Sequence, residues 1–436
     1  MIFHSIALSL HTDKYVILPV MAMKEVFQRY SILLLLMLFT VTTGAQDIEQ
    51  TDKRYSVSGV VTDQRGKQLP YVNVNVSGER VSTVTNEDGF FTIKTMRQVK
   101  ALDLSHVGYQ TLHYEIPEFH EGNLVIKMKP STVVLNDIVV RSGDAKRIFY
   151  EAMDKIVDNY PQHPEMMKCF YRECVQKRSR YINIAEAVAN LYKPSYKHKI
   201  DLGRVSIEKG RRLVSPKTSD TLGVKILGGP NTPIYLDFVK NKDFVLDPED
   251  LPHYEFTMED PVITDNRLQF VIRITPVYAA PWALYEGVFH IDQETLAFTR
   301  AELSLDMRDR EKATTRMLVR KPIGVRFKPR EMSVTVSYTT QDNVTRINYV
   351  RTLFRFNCDW KKRLFSTSFT AMSELVVTDW TDQDVHPIKG RDTFYQRDAF
   401  FDKVDYFDDP NFWADYNIIE PTESLENAIG KLRKKY

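Results

Sequence analysis

The chain is poor in most features by which a sequence declares a chemistry. Its 436 residues hold three cysteines, Cys169, Cys174 and Cys358. That is too few for a disulfide framework, and an odd number leaves at least one thiol unpaired even in an oxidising compartment. Cys169 and Cys174 are five positions apart, which on a strand puts them on opposite faces and argues against a local bridge. Buried apolar thiols are the expectation. A surplus of one charge is missing too: 59 Lys and Arg against 57 Asp and Glu leave a net charge of +2. Without a basic surplus there is no electrostatic footprint for a nucleic-acid partner. No Gly-x-Ser-x-Gly elbow and no phosphate-cradling glycine loop occurs after residue 143. None of the ten histidines is followed three positions later by Glu, so the His-x-x-Glu pair of a zinc carboxypeptidase is absent. No metal and no cofactor is expected.

Long apolar runs are equally scarce. The one present is Ile32-Leu-Leu-Leu-Leu-Met-Leu-Phe-Thr-Val41, with Lys24 and Arg29 before it and Thr43-Gly44-Ala45-Gln46 after it. A charged start, a short apolar stretch and small residues at −3 and −1 make a secretory signal over 23–45, cut between Ala45 and Gln46. The run falls short of the roughly 20 residues that a span requires, so the mature chain is expected to carry no transmembrane helix. Residues 1–22 stand outside this pattern and read as a misassigned start. No Cys follows the cut, so a lipoprotein-type anchor is not expected. The predicted location is the periplasm or the outer-membrane surface.

What the chain does have is period-two alternation. Val72, Val74 and Val76 share one face, and so do Leu102 and Leu104, then Leu124, Ile126 and Met128. Turn signals separate them at Asp63-Gln-Arg-Gly66, Ser77-Gly78 and Asn86-Glu-Asp-Gly89. The last could be a fragment of a calcium loop, but it lacks the spaced acidic ligands, and a hairpin turn is the simpler reading. Short strands with Gly-bearing turns predict a small antiparallel sandwich over 55–129. The segments Gly59-Val-Val-Thr-Asp63, Leu69-Pro-Tyr-Val-Asn-Val-Asn-Val76, Thr85-Asn-Glu-Asp-Gly-Phe-Phe91 and Leu104-Ser-His-Val-Gly-Tyr109 resemble the carboxypeptidase-like regulatory domain. That resemblance implies a seven-stranded transthyretin-like fold, common in exported proteins of Bacteroidota. Val134-Leu-Asn-Asp-Ile-Val-Val-Arg141, within a 130–144 linker, resembles the segment trailing such domains in outer-membrane receptors.

From 145 to 392 a second, larger β-rich domain is expected. Ile148, Phe149, Ala152, Met153, Ile156, Val157 and Tyr160 form a helical stripe at its start. Strand-like stretches follow, among them 167–175, 181–192, 256–258, 268–275, 282–292, 297–306, 314–319, 332–338, 345–356 and 365–378, with 197–252 the least regular part. The predicted fold is mainly β: the small sandwich, then an antiparallel curved sheet or half-barrel with a helix at its start and another at the C-terminus. Phe170-Tyr-Arg-Glu173, Ala185-Glu-Ala187 and Tyr285-Glu-Gly-Val-Phe-His-Ile-Asp292 resemble an uncharacterised domain that often follows the regulatory-like one. The last also resembles strand pairs of LolA-type half-barrels.

Two carboxylates carry the only catalytic expectation. Glu173 and Glu186 sit on strands that could form a hairpin, as a glycosidase pair would require. Charge pairing with Arg172 and Arg180 on a wet sheet face is the alternative. The stretch 393–436 begins with aromatics and acids, among them Tyr406 and Trp413, which with Arg172 are ligand-binding candidates. The same aromatics could instead anchor the tail across the sheet. Leu425, Ala428, Ile429 and Leu432 then define a C-terminal amphipathic helix. These features predict a non-enzymatic exported envelope protein that docks or binds a protein, glycan or lipid. The alternatives are a glycan or peptide hydrolase using Glu173 and Glu186, and a LolA-like lipid or lipoprotein carrier.

Overall fold

Alternating apolar residues need two sheets to share a core, and the first segment supplies them. The computed structural model describes residues 54–119, 122–131, 142–198, 203–217, 220, 227–318, 324–360, 366–405 and 411–433. The expected signal with Ala45 and Gln46, most of the 130–144 linker, and Tyr406 lie outside the described residues. Seven strands come first: β1 (Tyr55–Thr62), β2 (Asn73–Val76), β3 (Ser82–Val84), β4 (Phe90–Thr95), β5 (Ala101–Ser105), β6 (Leu112–Glu115) and β7 (Leu124–Lys127). They form one sheet in the order β4-β1-β7 and another in the order β3-β2-β5-β6. Val74, Val76, Leu102 and Leu104 of the second sheet meet Val61, Phe91, Ile93 and Ile126 of the first in a dry core. One pair departs from the antiparallel expectation. β7 runs parallel to β1, Gly59 opposite Leu124, because β6 lies in the other sheet and the chain must cross over before β7. The Asn86–Gly89 turn requires its glycine: φ is +70°, and a Cβ there would stand 2.8 Å from the Val61 carbonyl.

The second segment opens with α1 (Ser142–Asp154) and the short α2 (Ile156–Asn159). Its ten strands are β8 (Glu165–Lys177), β9 (Arg180–Lys193), β10 (Arg204–Val214), β11 (Tyr254–Thr264), β12 (Arg267–Pro276), β13 (Tyr285–Asp292), β14 (Phe298–Leu305), β15 (Val325–Gln341), β16 (Val344–Trp360) and β17 (Thr367–Thr381). The order β10-β9-β8-β17-β16-β15-β14-β13-β12-β11 is antiparallel throughout and leaves β10 and β11 as edges, so the sheet does not close. The first and last strands of this segment, β8 and β17, lie side by side at its interior. Both edges are guarded. Phe394 and Arg212 amides exchange bonds between the 394–405 segment and β10. On β11 a bulge interrupts the register between Glu259 and Val262, and the sandwich amide of Gly108 reaches the Ile263 carbonyl at 3.0 Å.

One face of this sheet carries the main core. Phe149 of α1 packs among Phe256, Phe289 and Phe298 with ring centroids 5.0–5.4 Å apart, and Phe238 closes on Phe289 and Phe298 from the other side. Each such ring contributes about 1.5–3 kcal/mol by leaving water. Phe238 belongs to the stretch that the sequence marks as irregular. There Ile234 and Leu236 of α3 (Thr232–Leu236), with Val239, Phe244, Val245, Leu246 and Leu251, are buried against the sheet. Two further expectations are corrected. The stretch 314–319 was expected to be a strand, but the chain forms α4 (Arg310–Met317), because the Asp309 carboxylate accepts the Glu311 and Lys312 amides as an N-cap. Trp282–Leu284 precede β13 as loop, since Pro281 cannot donate to a ladder. The C-terminal helix α5 (Glu423–Arg433) buries Leu425, Ile429 and Leu432, as its stripe predicts. From Arg54 onward sandwich and sheet belong to one compact unit.

Candidate functional site

The opposite face of the sheet holds a row of buried charges. Along β8 the side chains alternate, so Tyr171 joins the main core while Arg172 points away from it. Register then fixes what Arg172 meets. It stands opposite Glu186 of β9 and Glu374 of β17; Glu186 stands opposite Arg211 of β10, and Glu374 opposite Arg351 of β16. The result is a row across five strands, Arg211–Glu186–Arg172–Glu374–Arg351, with charges alternating in sign. Arg172 Nε donates to Glu186 at 2.7 Å and its Nη1 to Glu374 at 3.2 Å. Arg211 Nε donates to the second oxygen of Glu186 at 2.8 Å. Such cross-strand ion pairs are the sheet counterpart of helical i,i+4 pairs.

This row is dry at its centre: Arg172 and Glu186 are 2% and 1% exposed. Burial alone would push the Glu186 carboxyl up. Arg172, Arg211 and the Trp413 indole N–H, which donates to it at 3.0 Å, outweigh burial and hold it at about 2. Burial would likewise strip the proton from Arg172, and Glu186 with Glu374 more than restore it. Tyr349 donates to the remaining oxygen of Glu374 at 3.2 Å. Every charge at the centre of the row is therefore met by an opposite one.

Glu173 does not belong to this row. It stands opposite Ala185, one step out of register from the Arg172–Glu186 pair, and so faces the main core. Burial pushes its carboxyl up to about 8, against the hydrogen bond it accepts from Tyr171 at 3.0 Å. The expected pair of Glu173 and Glu186 is thus corrected: the sheet itself stands between them. The charge-pair alternative needs correction as well. Arg172 does hold Glu186, but in a buried layer rather than on a wet face, and Arg180 pairs with Asp220 at 2.7 Å.

Two elements cover the row. The first is the C-terminal strap. Phe412 and Trp413 pack with Phe170, Val188, Tyr349 and Val376, the Trp413 ring lying edge-on to Phe170 at 5.6 Å. The Ile419 carbonyl accepts from Arg172 Nη2 at 2.8 Å. Trp413 is only 6% exposed, so its ring offers no stacking face to a ligand. The second is the sandwich, which grips the strap from above. Asn86 Nδ2 donates to the Glu420 and Pro421 carbonyls, Thr83 to Ile418, and Lys94 Nζ to Trp413 and Tyr416. Asp88 accepts the first amide of α5 at 2.8 Å. The Asn86–Gly89 turn, a calcium-loop fragment in one reading, is a clip for the strap. The ladder continues into the sandwich as well: Arg351 donates to Glu87, which also accepts from Tyr71, both at 2.8 Å.

Where strap, turn and sheet meet, a cleft of about 180 Å³ remains, walled by Arg172 and Glu374 of the charged row, Glu87, Tyr181, Arg351 and Arg355 among others. Farther across the sheet, two histidines, the half-buried His106 of the sandwich and the buried His290 of β13, share the charges of Arg300 and Glu302. Burial, aided by Arg300 and opposed by Glu302, holds both His106 and His290 down at about 4. The three cysteines are free and buried, with Cys169 and Cys174 in different clusters. Burial raises the Cys169 thiol to about 12. Among the described residues no three His, Cys, Asp or Glu side chains gather where a metal could be held, and no helix is long and apolar enough to cross a membrane. Sequence reasoning missed Arg211, Glu374, Arg351 and the two histidines. Their partners lie up to 264 residues away in the chain, and only the strand order joins them.

Comparison with known proteins adds a fold-level relation for the first segment. No curated protein matches the chain. A solved outer membrane lipoprotein-sorting protein domain from Vibrio parahaemolyticus overlaps 58% of this chain and 97% of its own, with 8% identity and a TM-score of 0.24. A DUF1329 family protein from Desulfovibrio piger overlaps 56% and 95%, with 10% identity and a TM-score of 0.23. Residues 57–140, the sandwich and the segment behind it, match the model of the CarboxypepD_reg-like domain.

Proposed function

We propose that this protein is a non-catalytic binding module of the cell envelope, with sandwich and sheet fixed into one platform by the charged row and the strap. One observation carries the reading. The charged row is neutralised within itself, with Glu186 held ionised between two arginines and an indole beneath the strap, while its neighbours Arg172 and Glu374 line the seam cleft. A general acid or base has to reach a reacting proton, and Glu186 reaches only its partners. The secretory pattern from Lys24 to Gln46 supports a location outside the cytoplasm. The seam cleft is the proposed binding site, since it exists only when sandwich, sheet and strap are assembled, and its Arg355 and Tyr181 suit a polar ligand or a partner's polar segment.

A carrier would need an apolar hollow on the core face, and there the rings of Phe149, Phe238, Phe289 and Phe298 pack against one another. The test is affinity capture from the native envelope with wild type, Arg355→Glu and Glu173→Gln. The reading expects a specific partner or ligand retained by Glu173→Gln and lost by Arg355→Glu. Turnover of a glycan or peptide substrate by wild type, abolished in a folded Glu173→Gln variant, would overturn it.

A further inference from the structure

The β12–β13 connection is a stretch of ten residues without a charge that leaves the apolar side chains of its tip exposed. From Pro276 to Tyr285 the sequence reads Pro-Val-Tyr-Ala-Ala-Pro-Trp-Ala-Leu-Tyr. Val277, Tyr278 and Trp282 are 48%, 68% and 42% exposed, and Ala279 and Pro281 are exposed as well. The exposure is built in. The amides of Val277 and Tyr278 both donate to the His253 carbonyl, and the Trp282 indole N–H to Asp250 at 3.0 Å. The apolar tip is therefore preformed, and ordering it costs little on contact.

Cations bracket the tip. Lys312 Nζ donates to the Ala280 carbonyl at 2.7 Å and Arg308 to the Pro276 carbonyl at 3.2 Å. Arg310 is exposed on α4, and Arg316 lies 5.9 Å from the Tyr285 ring. Of the acids here, Asp306 chelates Arg308, Asp309 caps α4 and Asp250 holds Trp282, while Glu286 just after the loop is exposed and faces Arg308. Glu311, in the first turn of α4, is exposed.

We infer that this loop seats the protein on an anionic lipid surface, with Tyr278 and Trp282 at the headgroup level and the α4 cations toward the phosphates. Tyr and Trp are the side chains that settle at that depth, apolar body inward and polar tip outward. Lys and Arg near an anionic leaflet each strengthen binding about fivefold. Area separates this occupant from a second copy of the chain. The exposed parts of Val277, Tyr278 and Trp282 offer on the order of 300 Å², against about 800 Å² per partner in a stable interface. A bilayer accepts a point insertion where a dimer does not. The inference stands whether or not the seam cleft binds a ligand.

The test uses the full mature chain with vesicles of phosphatidylethanolamine and phosphatidylglycerol, phosphatidylcholine vesicles serving as control. Wild type should cosediment with the anionic vesicles, and brominated acyl chains should quench a fluorescence component that Trp282→Phe lacks. Tyr278→Ser with Trp282→Ser should weaken binding about tenfold or more, and Arg310→Glu severalfold, with far-ultraviolet circular dichroism unchanged. Absence of wild-type binding at about 1 mM lipid would overturn the inference, as would equal binding by the variants. So would a dimer that Tyr278→Ser dissociates, which would assign the loop to a second copy.

Discussion

Replacing either glutamate by glutamine is the same small change, yet the two faces of the sheet give it opposite consequences. Glu186→Gln removes the negative charge between Arg172 and Arg211 and leaves two buried guanidinium groups short of a partner. Breaking a buried ion pair in this way costs about 3–5 kcal/mol. Glu173→Gln acts on a carboxyl held at about 8 in the fold and titrating at 4.5 when free. With a raised folded value, its stabilising proton is fully retained below pH 4.5 and lost as pH rises through 8. At pH 7 the fold therefore carries a cost of about 3 kcal/mol that glutamine does not. Urea unfolding of wild type and both variants at pH 4.5 and pH 7 measures this. Glu186→Gln should be less stable by several kcal/mol at pH 7. The stability of Glu173→Gln relative to wild type should rise by about 3 kcal/mol between the two pH values. Equal destabilisation by both changes at pH 7, with no pH dependence for Glu173→Gln, would refute the two-faced placement.

Acid should loosen the seam through His106 and His290. Both are lowered from 6.5 to about 4, so the unfolded chain takes up protons first and stability falls as pH drops from about 6.5 toward 4. At pH 5 each histidine costs about 2 kcal/mol, and the stability gap between wild type and a His106→Phe, His290→Phe variant should shift by about 4 kcal/mol between pH 7.5 and pH 5. Trp413→Ala should cost about 3–5 kcal/mol in chemical denaturation, because it empties the space beside Phe170 and removes a donor from Glu186. Gly89→Ala should lower the thermal midpoint by several degrees, through a φ of +70° and a Cβ contact at 2.8 Å from backbone, worth roughly 1–2 kcal/mol.

The sandwich was legible in the sequence because its code is local. Val74, Val76, Leu102, Leu104 and Ile126 alternate within single strands, and each is buried where its period places it. Most strands of the larger sheet were legible for the same reason. The Phe-Tyr-Arg-Glu and Ala-Glu-Ala motifs drew notice as a resemblance, and their charged members proved to be the centre of the ladder. Their faces were not legible: whether Glu173 or Arg172 meets Glu186 depends on a register offset of one residue, and such a slip exchanges the two faces. The stretch 197–252, read as the least regular part, hides the strand β10 at Arg204–Val214, and its later core residues, such as Phe238 and Leu246, follow no period. The 310–317 helix was misread because its Asp309 cap is a single-residue signal beside a β-branched run. The fate of Trp413 depended on Glu186, 227 positions earlier, which no local pattern encodes.

The central claim is that the strap over the charged row fixes sandwich to sheet. Spin labels at Met96→Cys on the sandwich and Val157→Cys beside the sheet, both exposed positions, measure it through their distance distribution. Three buried native thiols leave these two as the reactive sites. The full chain should give one narrow distance, and a chain ending before Asn411 a broad one. An equally narrow distance without the strap would contradict the account.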